Sequence, residues 1–402
     1  MIQSILDNDL YKFSMQQAVH MLYPRAQARY EFINRGLTYF PDGFASMVKA
    51  EIQKMADLEL SLDQKAFLKT ACYFLTPVYL DYLESYTYNP DEVIVEQDKE
   101  GFTLIITGPW YRTILWEVPL MAIISETFFK MTRQTIASDI QRKRINLDKA
   151  RTLSAHTVKF ADFGTRRRFS SENQARVLQD LLSHKNHTLV GTSNVHFARK
   201  FNITPIGTLA HEWFMFHAVI NGYQMANPSA QDAWVKVFHG DLGIALTDTF
   251  TTDVFLSAFD TFHAKLFDGV RQDSGDPFEF TDKIIDHYKT LRIDPSSKTI
   301  VFSDGLNVET AVKIHTHCNG RIQDAYGIGT NLTNDVGVTP LNMVIKLTNC
   351  RISPDKPWRN AVKLSDDRGK HTGDPLELKN CMALFQLPDK EKAGTNHRSC
   401  LL

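Results

Sequence analysis

An α/β fold built on a β/α barrel is predicted for this chain, on three observations. Between residues 158 and 328, short β-rich runs recur at Val158–Asp162, Thr188–Gly191, Ile203–Ile206, Gly243–Leu246, Gly269–Arg271, Thr299–Phe302 and Ala325–Ile328. Stretches long enough for a helix separate most of them, and strand–helix alternation implies parallel strands joined by crossovers. Polar and glycine-rich clusters recur at the C-terminal ends of these runs, the end of a barrel that carries its active site. Seven or eight such units favour a closed barrel over an open sheet, although periodicity alone fits either.

The chain has 402 residues, enough for two domains or for one barrel with an extra layer. An N-terminal α+β domain is expected over residues 1–135 and the barrel, with the active site, over 136–340. A C-terminal segment, 341–402, is expected to pack back on the N-terminal domain. Apolar residues at helical spacing run from Asp9 to Leu22, with Asp7, Asn8 or Asp9 placed as a cap. Glu92–Glu96 and Phe102–Ile106 flank the turn Asp98-Lys99-Glu100-Gly101 and read as a hairpin. Ile114–Lys130 reads as a long buried helix, and Asn342–Leu347 adds one strand after the barrel.

Composition narrows the function. The chain is 43% apolar and 23% charged with a formal net charge of −1, so no global field favours nucleic acid or an anionic membrane. Anion binding must come from local Arg and Lys clusters, which favours a small-molecule enzyme. The five cysteines (72, 318, 350, 381 and 400) are scattered, without metal-ligand spacing, and read as reduced thiols. No secretory signal precedes Asp9, and the apolar run Ile114–Ile124 is broken by Glu117 and Pro119, short of a membrane span. A soluble, cytoplasmic protein is expected.

Several strand-end clusters carry chemistry. Ser303-Asp304-Gly305 and Gly327-Ile328-Gly329-Thr330 follow two late strands, where glycines let backbone N–H groups approach a phosphate. Either alone fits plain turn geometry; together they favour an anion site. Three consecutive arginines, Arg166-Arg167-Arg168, cannot all face one way, so one or two are expected to point to the site. Phe163, just before them, is either core or a stacking platform for a planar ring. Arg271-Gln272-Asp273-Ser274-Gly275-Asp276 sets opposite charges on a tight turn, Arg271 suiting a carboxylate or phosphate and Asp273 sugar hydroxyls or magnesium-bound water. Asp248 is a further strand-end carboxylate, and Gly191-Thr192-Ser193-Asn194 a further polar strand end. His211, in Gly207-Thr208-Leu209-Ala210-His211-Glu212-Trp213, stands either as a hydrogen-bonded structural residue or as a nucleophile facing phosphate. No GxxxxGK[ST] loop occurs, and no HExxH pair argues for zinc.

In their joint order these pieces resemble the bacterial nicotinate phosphoribosyltransferases over nearly the whole chain. The carriers are Asp9-Leu10-Tyr11-Lys12 with Met15-Gln16-Gln17-Ala18, Gly108-Pro109-Trp110, and Leu115-Trp116-Glu117-Val118-Pro119-Leu120. The clusters at 162–168, 191–194, 207–212 and 271–277 complete the set. The resemblance implies an irregular β/α barrel of the type II phosphoribosyltransferase kind plus an α+β domain built from both termini, commonly a homodimer. It implies transfer of the phosphoribosyl group of 5-phosphoribosyl-1-pyrophosphate to nicotinate, with ATP as co-substrate and magnesium (Mg2+) as cofactor, in NAD biosynthesis. His211 would be the residue phosphorylated by ATP. Phe163 and Tyr11 would stack on the two ring faces, Tyr11 coming from the neighbouring subunit in dimeric relatives. Arg271 would meet the substrate carboxylate, with Thr192 nearby. Arg166, Gly305, Gly329 and Thr330 would hold phosphates, and Asp248, Asp273 and Asp304 the ribose or magnesium. Nicotinamide-specific relatives carry an acidic residue where this chain has Ser193, so the acid is the expected substrate. The rival readings are a quinolinate or nicotinamide phosphoribosyltransferase, and a catalytically silent barrel that binds phosphoribosyl ligands.

Overall fold

The computed structural model describes residues 1–388, which form two sheets. The strands are β1 (Gln27–Asn34), β2 (Val93–Gln97), β3 (Phe102–Pro109), β4 (Phe160–Asp162), β5 (Leu189–Thr192), β6 (Thr204–Pro205), β7 (Ile244–Leu246), β8 (Gly269–Gln272), β9 (Thr299–Phe302), β10 (Gln323–Ile328), β11 (Met343–Arg351) and β12 (Arg359–Asn360). Strands β4–β10 make one parallel sheet in the order β6-β5-β4-β10-β9-β8-β7, curled as a half-barrel. All the β-rich runs expected of the barrel lie in it. Among the described residues its edges, β6 and β7, do not pair with one another, so the barrel is irregular and open on one side.

Close backbone approach sets part of this geometry. A Cβ on Gly269 would lie 1.9 Å from the Thr299 carbonyl oxygen, and one on Gly191 would lie 2.1 Å from that of Thr204. Only glycine lets β8 and β9, and β5 and β6, meet at this spacing.

The helix His211–Asn221 lies between β6 and β7 in the chain. Its first eight residues, His211-Glu212-Trp213-Phe214-Met215-Phe216-His217-Ala218, are all buried. A helix apolar on nearly every face must be enclosed on nearly every face; this one packs against helix Tyr223–Phe238 and β11.

The second sheet is antiparallel in the order β12-β11-β1-β3-β2. The predicted hairpin is β2–β3, paired from Val93–Ile106 to Gln97–Phe102. Its central strand, β1, was not among the expected elements, although Ala28 and Tyr30 alternate inward in the period-2 pattern of a strand. β11 runs antiparallel to β1, from Gln27–Arg351 to Asn34–Met343. Past β12 the chain turns to the barrel mouth, where the Leu364 N–H donates to the Thr249 carbonyl at 2.9 Å and Lys363 pairs with Thr372. The helices expected near the start and at 114–130 are Leu10–Leu22 and Glu117–Thr132. Cys72, Cys318, Cys350 and Cys381 are free and buried, and Cys400 lies outside the described residues. No helix among those residues is long and apolar enough to cross a membrane.

Candidate active site

The C-terminal ends of the barrel strands open onto a cavity of about 410 Å3. Of the expected site residues it is lined by Tyr11, Phe163, Arg166, His211, Arg271, Asp273, Gly305, Gly329 and Thr330. Phe163 continues β4, its N–H bonded to the Ile328 carbonyl at 2.9 Å. A Cβ on Gly327 would lie 3.2 Å from the Phe163 ring, so the glycine leaves room for that ring to lie over β10. Tyr11 reaches the cavity from helix Leu10–Leu22 of the same chain. Gly207 permits this, since a Cβ there would stand 2.9 Å from the Tyr11 backbone nitrogen. Burial pushes the Tyr11 hydroxyl far above its ordinary range, so it stays neutral.

His211 opens its helix, with Ala210 as an N-cap that supplies no side-chain bond. Its Nδ1 is 3.0 Å from Thr249 Oγ1, and its Nε2 is 2.8 Å from Asp273 Oδ2 and 2.9 Å from Lys363 Nζ. The ammonium and the carboxylate compete for one ring nitrogen, which cannot accept from Lys363 and donate to Asp273 at once. Burial first, and then the Lys363 charge, push the imidazole down to about 4, against the opposing pull of Asp248 and Asp273. The ring is therefore neutral near pH 7. Burial disfavours the Asp273 carboxylate, but Arg271, the His211 hydrogen bond and Lys363 together outweigh it and hold the group well below the usual carboxylate range.

The three arginines divide. Arg168 has no exposed surface: it pairs with both Asp7 oxygens at 2.7 and 2.9 Å and with Glu126 at 2.8 Å. It is structural. Arg166 and Arg167 line the cavity, Arg166 lying 3.7 Å from Glu117. Burial, with Arg166 and Arg35 nearby, lowers Arg167 to about 10. Arg271 donates to the Leu209 carbonyl at 3.0 Å, which fixes it to the loop before His211, and its buried Nε has no partner.

Four expected site residues do not line the cavity. Asp248 is buried behind His211, 3.8 Å from Nε2, where it accepts from Ser274 at 2.6 Å and meets Lys363 at 3.3 Å; its Oδ1 is unpartnered. Asp304 is ion-paired with Lys370. Thr192 and Ser193 are fully buried, their hydroxyls donating to Asp162 at 2.8 Å and to Asp9 at 2.7 Å. Both therefore support the strand ends from behind. Residues to which the sequence reading gave no site role complete the site: Lys363 and Lys370 from the C-terminal segment, Lys346 on β11, Thr249 after β7, and Glu117 with Lys12. Burial, together with Lys363, lowers Lys346 to about 8. A charged residue inside an otherwise apolar strand run was the available signal for Lys346; nothing local marks Lys363.

Comparison with known sequences decides what this constellation belongs to. The model of the nicotinate phosphoribosyltransferase family matches residues 158–389, and that of the family's N-terminal domain matches residues 6–125. The chain belongs to the nicotinate phosphoribosyltransferase family. It is 64% identical over 386 residues to a nicotinate phosphoribosyltransferase of Desulforapulum autotrophicum, covering 96% of this chain and 99% of that one. With the Chromohalobacter salexigens nicotinate phosphoribosyltransferase the identity is 52%, over the same shares. The crystal structure of the nicotinate phosphoribosyltransferase from Porphyromonas gingivalis superposes with a TM-score of 0.94 at 44% identity, covering 96% of this chain and all of that one. The Vibrio cholerae nicotinate phosphoribosyltransferase gives 0.91 at 36%, covering 98% and 95%.

Proposed function

We propose that the chain transfers the phosphoribosyl group of 5-phosphoribosyl-1-pyrophosphate to the ring nitrogen of nicotinate, and that ATP hydrolysis drives the reaction through a phosphorylated His211. The carrying observation is a neutral imidazole at an uncapped helix N-terminus, between Asp273 and Lys363, in a cavity with three aromatic residues and three arginines. A neutral ring keeps the lone pair a phosphoryl group needs, and the free N–H groups of the first helical turn favour the incoming anion. The silent-barrel reading gives no reason to bury a charged lysine and two carboxylates around one histidine.

Loss of pyrophosphate leaves an oxocarbenium-like ribose, and the Asp273 carboxylate, held ionised by Arg271, is the group placed to stabilise it. The pyridine nitrogen attacks without a strong base. Gly305, Gly329 and Thr330 offer backbone donors to phosphate, and Arg166, Arg167 and Lys346 offer charge. Magnesium fits the acidic pair: the unpartnered Oδ1 of Asp248 and the ionised Asp273 are the oxygens that would hold it. When bound it would neutralise charge on the leaving pyrophosphate.

The cations at the cavity favour an acid substrate over the amide. A homodimer is the assembly expected from the resemblance, and the cytoplasm the expected location. Within one chain Tyr11 lines the cavity. The test is nicotinate mononucleotide formation from nicotinate, nicotinamide or quinolinate, with and without ATP. Turnover of nicotinamide or quinolinate in preference to nicotinate would reject the substrate assignment.

A further inference from the structure

We infer that Lys12 is a positioning residue that ties Arg166 to the helix carrying His211. The inference rests on the phosphoribosyl-transfer reading of this cavity. Lys12 Nζ has no exposed surface and lies 2.6 Å from Glu117 Oε2 and 2.6 Å from Glu212 Oε1. Glu117 in turn faces Arg166 at 3.7 Å, and Glu212 is covalently next to His211. Glu117, Glu212 and Arg166 line the cavity while Lys12 sits behind it.

Three helix starts meet at this point. Glu117 and Glu212 stand in the first turns of their helices, where the macrodipole favours a carboxylate. Lys12 stands in the first turn of Leu10–Leu22, where the same dipole opposes a cation. Its own helix therefore gives no reason for the lysine; the two carboxylates do. The charges of Arg166, Glu117, Lys12 and Glu212 cancel, so the group is stable only as a set. Lys346 also acts on Glu117, and Tyr30 faces Glu212; both are cavity residues. Tyr30 offers Glu212 a neutral hydroxyl only, so among the described residues Lys12 is the one ion-pair tether on the Glu212 carboxylate.

An anion that draws Arg166 away from Glu117 leaves Glu117 to compete harder for Lys12, which loosens Glu212 and the turn bearing His211. Substrate phosphate and His211 are thereby coupled through one ammonium group.

A double-mutant cycle in the full-length enzyme tests this, because residues acting through one shared partner are non-additive. Glu117→Gln is expected to raise KM for 5-phosphoribosyl-1-pyrophosphate at least fivefold, and Glu212→Gln to lower kcat several-fold and also move that KM at least threefold. In the double variant kcat/KM should depart from the product of the single effects by threefold or more, and Lys12→Arg should restore more activity than Lys12→Met. Simple multiplication of the single effects in an active enzyme would overturn the coupling. If Glu117→Gln fails to fold, Glu212→Gln decides alone: an unchanged KM for 5-phosphoribosyl-1-pyrophosphate overturns the inference. A native chain that forms no nicotinate mononucleotide would instead defeat the functional reading, and this inference with it.

Discussion

Replacing Lys363 by methionine should make His211 easier to protonate and so bring its loss as a nucleophile to a higher pH. The ammonium lies 2.9 Å from Nε2, and at an effective dielectric of about 20 one unit charge acts on another at that distance with about 6 kcal/mol. Even a quarter of that, about 1.4 kcal/mol, is one pH unit. Without it Asp273 at 2.8 Å and Asp248 at 3.8 Å are left to favour the imidazolium. The imidazole should then rise by about one pH unit, from about 4 to about 5, with burial still holding it below its ordinary value. Methionine fills most of the space, so packing changes little. A carbon-13 histidine NMR titration, with His211 assigned through His211→Asn, measures the shift directly. Label incorporation from γ-labelled ATP should be nearly flat between pH 5 and 7 in the native protein. In Lys363→Met it should fall about twofold from pH 7 to pH 5, the change in neutral fraction for a group titrating at about 5. A flat profile in the variant, or a resonance still titrating near 4, would refute the reasoning.

Other outcomes follow from the same geometry. Arg168→Met should destabilise by about 3–5 kcal/mol, because it strands Asp7 and Glu126 without their buried partner; urea unfolding reads this. Gly269→Ala should cost about 3 kcal/mol, since its Cβ would meet the Thr299 carbonyl and force β8 from β9; a melting curve tests it. Acid should destabilise the native chain: His211 and His217 are both lowered to about 4 from 6.5, His211 by burial and Lys363, His217 by burial. Between those values the unfolded state binds more protons, so their stabilisation is complete above 6.5 and is lost as pH falls toward 4, about 3 kcal/mol for each. Asp9, raised by burial to about 6, offsets part of this with the opposite sign. Unfolding free energies at pH 5 and pH 7 should therefore differ in favour of pH 7.

The barrel strands were legible because each is a short apolar run punctuated by glycine and polar residues at its C-terminal end. Their half-closed arrangement was not, since it depends on which edge strands fail to meet. β1 was legible in principle, yet its alternation is shallow and only Ala28 and Tyr30 are buried. At the site, the residues recognisable from local motifs, such as Phe163, Arg271 and Gly329, do face the cavity. Thr192 and Ser193 shared a motif with such residues but turn their hydroxyls inward to Asp162 and Asp9, because those buried carboxylates need donors. Lys363 and Lys370 arrive from residues about 150 and 65 positions beyond their partners, and no local pattern carries such a contact. Lys12 was visible as a letter in a motif, but its burial between two carboxylates was not.

In the proposed reaction His211 carries the phosphoryl group between ATP and the transfer step. That role is tested most directly by incubating the native protein and His211→Asn with γ-labelled ATP, locating the label by peptide mapping, and assaying nicotinate mononucleotide formation with and without ATP. Acid-labile label is expected on the His211 peptide, lost in His211→Asn together with ATP stimulation. Undiminished labelling and full ATP stimulation in His211→Asn would contradict it.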